Sequence, residues 1–200
     1  AQVLNYALTR INTPYFLHLD ADDWLAPRAL EVMLPRIQSN PNAALVYANH
    51  IVHWEDSYGK TEKTEQIVLE QYKDRYDFLV KLNEALTPRL YRTDCVRQIG
   101  GWLTQFAEDN YVEDVQIQLR LAGIYEWSWG DEFLHHRRKY KQNVEEFERT
   151  RPKRWLYRYH LYNQILLEWG DQYRAVWQKK GEAIYLQKLV KNPNPTPLHS

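Results

Sequence analysis

The chain has 200 residues, enough for one domain with a sizeable core and a small appendage. Its 26 basic and 26 acidic side chains cancel, which excludes a bulk electrostatic case for nucleic-acid binding, and a hydrophobic share of 44% is that of an ordinary globular protein. The single cysteine, Cys95, excludes an internal disulfide and fits a reducing, cytoplasmic setting; no apolar run reaches the roughly 18 residues of a membrane span, and none reads as a signal peptide.

Val3, Leu4, Ala7, Leu8 and Ile11 recur at helical spacing, which predicts an amphipathic helix over residues 2–11. Asn12-Thr13-Pro14 breaks it, and Tyr15 to Leu19 reads as a short central strand. An acidic stretch follows. Pro27 suits a first helical turn, and a helix is predicted over 28–38 despite Pro35. Beyond the Asn40-Pro41-Asn42 turn, Ala43 to Ala48 reads as a second buried strand. Residues 53–66 read as a polar loop or hairpin around Gly59, which makes His50 and His53 ordinary loop histidines. Tyr76 to Leu86 is a predicted helix and Arg89 to Tyr91 a brief strand. Thr93 is placed to cap a short helix ending at Gly100-Gly101, with Cys95 buried and inert inside it. A helix over 112–122 stops at Gly123, and 124–129 and 132–136 read as two strands. Residues 145–189 carry a helical pattern punctuated by Gly170 and Gly181, and the tail NPNPTPLHS is expected to be disordered. The alternation of helices and strands over the first 138 residues predicts α/β layers with a helical extension. The boundaries drawn are 1–143, 144–190 and 191–200.

The stretch LHLDADDWL sets three acids, Asp20, Asp22 and Asp23, directly after an apolar run. Crowded carboxylates repel one another unless a cation or a set of donors offsets them. Open α/β sheets place ligands at the carboxyl ends of their strands, and Mg²⁺ is commonly held there by one or two carboxylates plus substrate phosphates. The competing reading is a solvated acidic loop that favours the dipole of the next helix. An EF-hand is rejected, because Leu25 stands where its glycine is needed and Pro27 would fall inside the loop. A phosphatase of the haloacid dehalogenase type also has two aspartates one residue apart, but expects Thr or Val where Trp24 stands.

The run LDADDWLAPRALEVMLPRI resembles the DXD region of family 2 glycosyltransferases with the GT-A fold. Further segments fall in that family's order: Asn5 and Ala7 in the first helix, ALVYAN, LYRTDCVRQIGGW, YVEDVQIQLRLAGIYEW and FLHHRRKYKQN. The match spans roughly residues 1–143, and it is the ordered combination of LDADD, GGW and ED that makes it specific. The resemblance implies a GT-A-like mixed sheet flanked by helices, lacking the leading nucleotide-binding strands, which would lie before Ala1.

The resemblance also implies roles. A nucleotide-sugar donor is expected, with a divalent metal (Mg²⁺ or Mn²⁺) on its diphosphate. Asp22 and then Asp20 are the expected metal and nucleotide contacts, with Asp23 beside them. Asp114 is the expected base of an inverting transfer, and Glu113 the group that orients the acceptor. The plain alternative is that both acids merely favour the start of a helix. Gly101 and Trp102 are placed at the acceptor, where Trp102 fits either a sugar platform or a core plug. His135 and Arg137 are candidates for the diphosphate; neighbouring His135 and His136 face opposite sides of a strand, so one of them at most faces the ligand. The acceptor is expected to be a saccharide or a lipid-linked one, with the C-terminal aromatic and basic region as an alternative interfacial element. The exposed sheet edge predicts self-association. A non-catalytic module that binds a partner or saccharide, and a metal-dependent phosphohydrolase with Asp20 as nucleophile, stand as alternatives.

Overall fold

The computed structural model describes residues 1–82, 84–105 and 112–196. In chain order these form α1 (Gln2–Arg10), β1 (Tyr15–His18), β2 (Trp24–Leu25), α2 (Ala29–Ser39), β3 (Ala43–Glu55), β4 (Thr61–Ile67) and α3 (Arg75–Lys81). Then follow β5 (Arg89–Arg92), α4 (Thr93–Gln98), α5 (Glu113–Ala122), β6 (Glu126–Tyr140), α6 (Lys141–Glu168), β7 (Tyr173–Lys180) and β8 (Ala183–Lys191). Among the described residues the main sheet has the order β1-β5-β3-β6-β2, with β4 on the far end of β3. Only β3 and β6 run parallel; the other pairs are antiparallel.

The two-residue period of a strand sorts β3 between two cores. Leu45 and Tyr47 face a layer that includes Ile117, Leu121, Leu161 and Ile165 of α5 and α6. Val46 and Ala48 face Ala29, Met33 and Ile37, the buried stripe of α2. The mixed sheet flanked by helices is thus present. Arg92 ties its parts together: the guanidinium donates to the carbonyls of Ile37, Asn40 and Ala43, where α2 turns into β3.

Several elements differ from the sequence expectations. The strand at Tyr15 is not central but ends the sheet order, with all four residues half-buried. β3 continues seven residues past Ala48, so His50 is a buried strand residue and His53 a cross-strand partner of Thr64. The two strands expected around Gly130 are one bulged strand, β6. Its register against β3 jumps from Ala48–Gly130 to Asn49–Phe133. Buried Asn49 fixes the jump: its amide donates to Asp131, and its carbonyl oxygen accepts from the Leu69 backbone and the Trp129 indole. The helix expected over 76–86 is the shorter α3, capped by Asp74. Thr93 does not cap α4; its hydroxyl donates instead to the Thr13 carbonyl.

The C-terminal region departs furthest. α6 stops at Glu168, and residues expected to be helical form the hairpin β7–β8. Alternating Tyr173, Ala175 and Trp177 then pack toward the main core, a period-2 pattern masked in the sequence because Val176 between them is apolar too. Residues 191–196 belong with this hairpin rather than with a loose tail: Asn192 is buried, and the Thr196 N–H donates to Asp171. The last four residues of the expected tail lie outside the described residues. Among the described residues no helix is long and apolar enough to cross a membrane.

The Gly-Gly-Trp turn is locked by α1. Asn5 forms two bonds with Trp102, donating to its carbonyl at 2.7 Å and accepting from its N–H at 2.8 Å. Gly101 has φ +70°, and a Cβ there would overlap the Asn5 amide oxygen; Gly100 has φ +75° with open space around it. Gly100→Ala is therefore expected to cost about 1 kcal/mol of backbone strain, and Gly101→Ala distinctly more, about 2–3 kcal/mol. Urea unfolding of the two variants checks this order; equal losses would contradict the Asn5 lock.

Candidate functional site

The carboxyl end of β1 carries the site. After His18 the chain turns sharply, closed by the Asp23 N–H donating to the Asp20 carbonyl, and enters β2 beside His135 and His136 of β6. The antiparallel pairing of β1 with β5 sets Arg89 directly opposite His18. The first turn of α5 brings Glu113 and Asp114 to the same place. The Arg89 guanidinium is 1% exposed, with one nitrogen 2.8 Å from Asp20 and the other 2.5 Å from Asp114. Burial opposes the charge on Arg89, but attraction to Asp114 and Asp20 more than restores it, and its pKa stands above the ordinary value. His18 also lies between the two acids, 3.8 Å from Asp20 and 3.9 Å from Asp114. Its pKa is lowered, first by burial and then by the charge of Arg89, so the ring is neutral at pH 7.

The three acids of LDADD have separate fates. Asp20 gives one oxygen to Arg89 and keeps its other side toward solvent. Asp23 turns inward. Burial alone would raise its pKa, but the His135 ring at 3.1 Å, the Arg138 N–H and the charge of Arg137 outweigh this and hold it below the ordinary carboxylate value. Asp22 is exposed, and its carboxylate makes no hydrogen bond or ion pair to a described residue.

A cleft of about 760 Å³ opens over these groups. Its lining mixes both signs: Asp20, Asp22, Asp23, Glu113 and Asp114 with Arg137, Arg138 and Lys139 of β6, Arg151, Arg154 and Arg158 of α6, and the further acids Glu84, Glu146 and Glu148. Arg137 and Lys139 are paired with Glu84, Arg138 with Glu55 and Arg151 with Glu148. A second cavity of about 410 Å³, beside the start of α1, shares Asp20, Glu113 and Asp114 and adds His18. The acids therefore form a ridge between two cavities.

Three expected contacts are placed elsewhere. Trp102 is 3% exposed and packs among Phe16, His18 and Tyr91, so its ring is a core plug with no face open to an acceptor; Gly101 serves the Asn5 lock. His135 is buried behind Asp23 and does not line the cleft, whereas Arg137 does. His136 instead stacks on Trp24 and shares a hydrogen bond with His53.

No three His, Cys, Asp or Glu side chains converge on one point among the described residues. With Asp20 tied to Arg89 and Asp23 to His135, Asp22 is the uncommitted carboxylate. This donor set fits a divalent ion held by one protein carboxylate and otherwise by phosphate oxygens and water, and does not fit an ion caged by protein alone.

Sequence reasoning missed Arg89, Glu84 and the α6 arginines. A charged residue inside the apolar strand PRLYR was the available signal for the first. The spacing of Arg151, Arg154 and Arg158 along one helix face was the signal for the last. Glu84 gave none: the sequence pattern puts it inside the expected helix over 76–86, whereas it stands after α3 and beside Arg137. It lies 2.6 Å from Arg137 and 3.5 Å from Lys139. Burial would raise its pKa, but those two cations hold it down to about 2. A depressed carboxylate stabilises the fold above its unfolded pKa and loses that contribution as pH falls toward the folded value. Stability is thus expected to decline between about pH 4.5 and 2, and Glu84→Gln to flatten this limb. Acid titration of thermal midpoints checks it; an unchanged limb would contradict the pairing.

The family model described as glycosyl transferase family 2 matches residues 1–100. Among solved structures, S. aureus TarS 1–349 in complex with UDP is 15% identical with a TM-score of 0.48, covering 82% of this chain and 48% of that one. S. aureus TarS 1–349 in complex with UDP-GlcNAc is 14% identical with a TM-score of 0.49, covering 82% and 50%. The chain thus spans about half the length of these matched structures. No curated protein sequence matches it.

Proposed function

The chain belongs to glycosyl transferase family 2, and from that premise we propose that its acidic cleft serves the transfer of a sugar from a nucleotide-diphosphate sugar to an acceptor hydroxyl, with a divalent metal and inversion at the sugar carbon. The observation that carries this reading is the meeting of Asp20, Asp22 and Asp114 in one cleft that Arg137, Arg138 and Lys139 also line. A diphosphate in this cleft would meet Arg137, Arg138 and Lys139, cations now paired with Glu84 and Glu55.

Asp22 would hold the Mg²⁺ or Mn²⁺, which when bound supplies positive charge to the departing diphosphate. The protein's own residues account for the rest. Asp114 has one oxygen held by Arg89, leaving the other to take the proton of the acceptor hydroxyl as that oxygen bonds to the sugar carbon. Inversion requires the base and the leaving group on opposite faces of the sugar, and the ridge position of Asp114 between two cavities suits that requirement. Glu113 stands beside the base and orients the acceptor, a saccharide or lipid-linked alcohol. Asp20, fixed by Arg89, contacts the nucleotide. The phosphohydrolase alternative expects Thr or Val where Trp24 stands. The unpaired side of β1 would carry self-association through the sheet edge.

Acceptor-dependent release of UDP or GDP from their sugar conjugates, in Mn²⁺, tests the reading. Asp114→Asn is expected to lower kcat by roughly 10²–10⁴-fold with little change in donor KM. Asp22→Ala is expected to raise the metal requirement and lower turnover at least about tenfold. Unchanged turnover in a folded Asp114→Asn variant would overturn the role of the base.

A further inference from the structure

A buried arginine is costly unless its charge is matched and its donors are used. Arg89 meets that condition in an unusual way: its two terminal nitrogens reach two carboxylates from distant parts of the chain, one on the turn after β1 and one on the first turn of α5. Its Nε has no hydrogen-bond partner, so the guanidinium is held at its head by those two acids. Each acid is partly exposed, Asp20 at 41% and Asp114 at 33%, and each has one oxygen bound by the arginine. A planar guanidinium presents its two nitrogens at a fixed separation and angle, which a lysine ammonium cannot reproduce. Both cavities meet at these same acids.

We propose that Arg89 is a positioning residue for the transfer: its guanidinium sets the separation and orientation of Asp20 and Asp114, so that the nucleotide contact and the base keep register with each other. This rests on the proposed function. The arginine touches neither substrate; it acts through the two carboxylates. Small displacements of a reacting group are amplified in rate, about 10²-fold for 1 Å, so loss of the second prong is read in kcat rather than in donor affinity.

The test compares wild type, Arg89→Lys and Arg89→Met. Transfer is followed from UDP- and GDP-linked sugars to simple alkyl glycosides in Mn²⁺, and stability by urea unfolding. Arg89→Lys keeps the charge and is expected to fold, to hold donor KM within about threefold, and to lose roughly 30- to 100-fold in kcat. A folded Arg89→Lys with kcat within threefold of wild type overturns the proposal while leaving the function intact. A wild-type chain that transfers from none of these donors overturns the function itself and the kinetic role with it. The stability arm needs no turnover. With Arg89 present, Asp114→Asn is expected to lower the urea midpoint, because a charged partner is lost. In Arg89→Met the same change is expected to raise it, because two facing carboxylates are relieved. The same sign in both backgrounds overturns the bridge. Should Arg89→Met fail to fold, Arg89→Lys serves as the second background, where the loss on Asp114→Asn is expected to be smaller than in wild type; an equal loss there counts against it.

Discussion

A guanidinium taken out of water needs opposite charge within reach, and around Arg89 that need organises the whole acidic end of the sheet. The β1–β5 pairing places the arginine beside His18, the turn after β1 returns Asp20 to it, and α5 begins where Asp114 completes the pair. Charge crowding, which reads as a hazard in the sequence, is thereby divided among separate partners. Asp20 and Asp114 share Arg89; Asp23 has His135; Asp22 alone of the four has no hydrogen-bond or ion-pair partner among the described residues. The acids are not interchangeable, and their roles follow from which partner each has already taken.

The scaffold holds these groups by polar clamps between elements distant in sequence. Asn5 grips the backbone of Trp102. Buried Gln118 spans the N–H and carbonyl of Leu86, fixing α5 to the segment that leads into Arg89. Arg92, three residues on, anchors the other end of β5 to the turn between α2 and β3. Each clamp joins a side chain to backbone groups of a distant segment, so that burial of those groups costs less. Together they set the geometry of a short strand and a short helix that carry little intrinsic stability of their own.

Much of this was legible in the sequence where the signal is local. The helices over 2–10, 29–39 and 113–122 follow apolar periodicity, and the strand at Tyr15 and the acids after it fall where the pattern puts them. The family was legible from ordered motifs. What could not be read was pairing. Nothing local says that the strand at Tyr15 lies at the end of the order, that Gly130 is absorbed as a bulge because Asn49 bridges it, or that Arg89 faces two acids. The hairpin after Glu168 was missed because charged and aromatic residues at close spacing satisfy both helical and strand periods. Trp102 shows the limit of reading side-chain type: a flat ring after two glycines suits a sugar platform, yet neighbouring aromatic rings enclose it.

Asp22, the uncommitted carboxylate, shares its cleft with Arg137, Arg138 and Lys139, and the proposed reading gives that space to a metal-bound diphosphate. Calorimetric titration of UDP and then GDP into the chain, with Mn²⁺ and again with chelator, tests that assignment most directly. The account predicts binding that requires the metal and disappears in Asp22→Ala. Binding of equal strength with chelator present, or unchanged by Asp22→Ala, would contradict it.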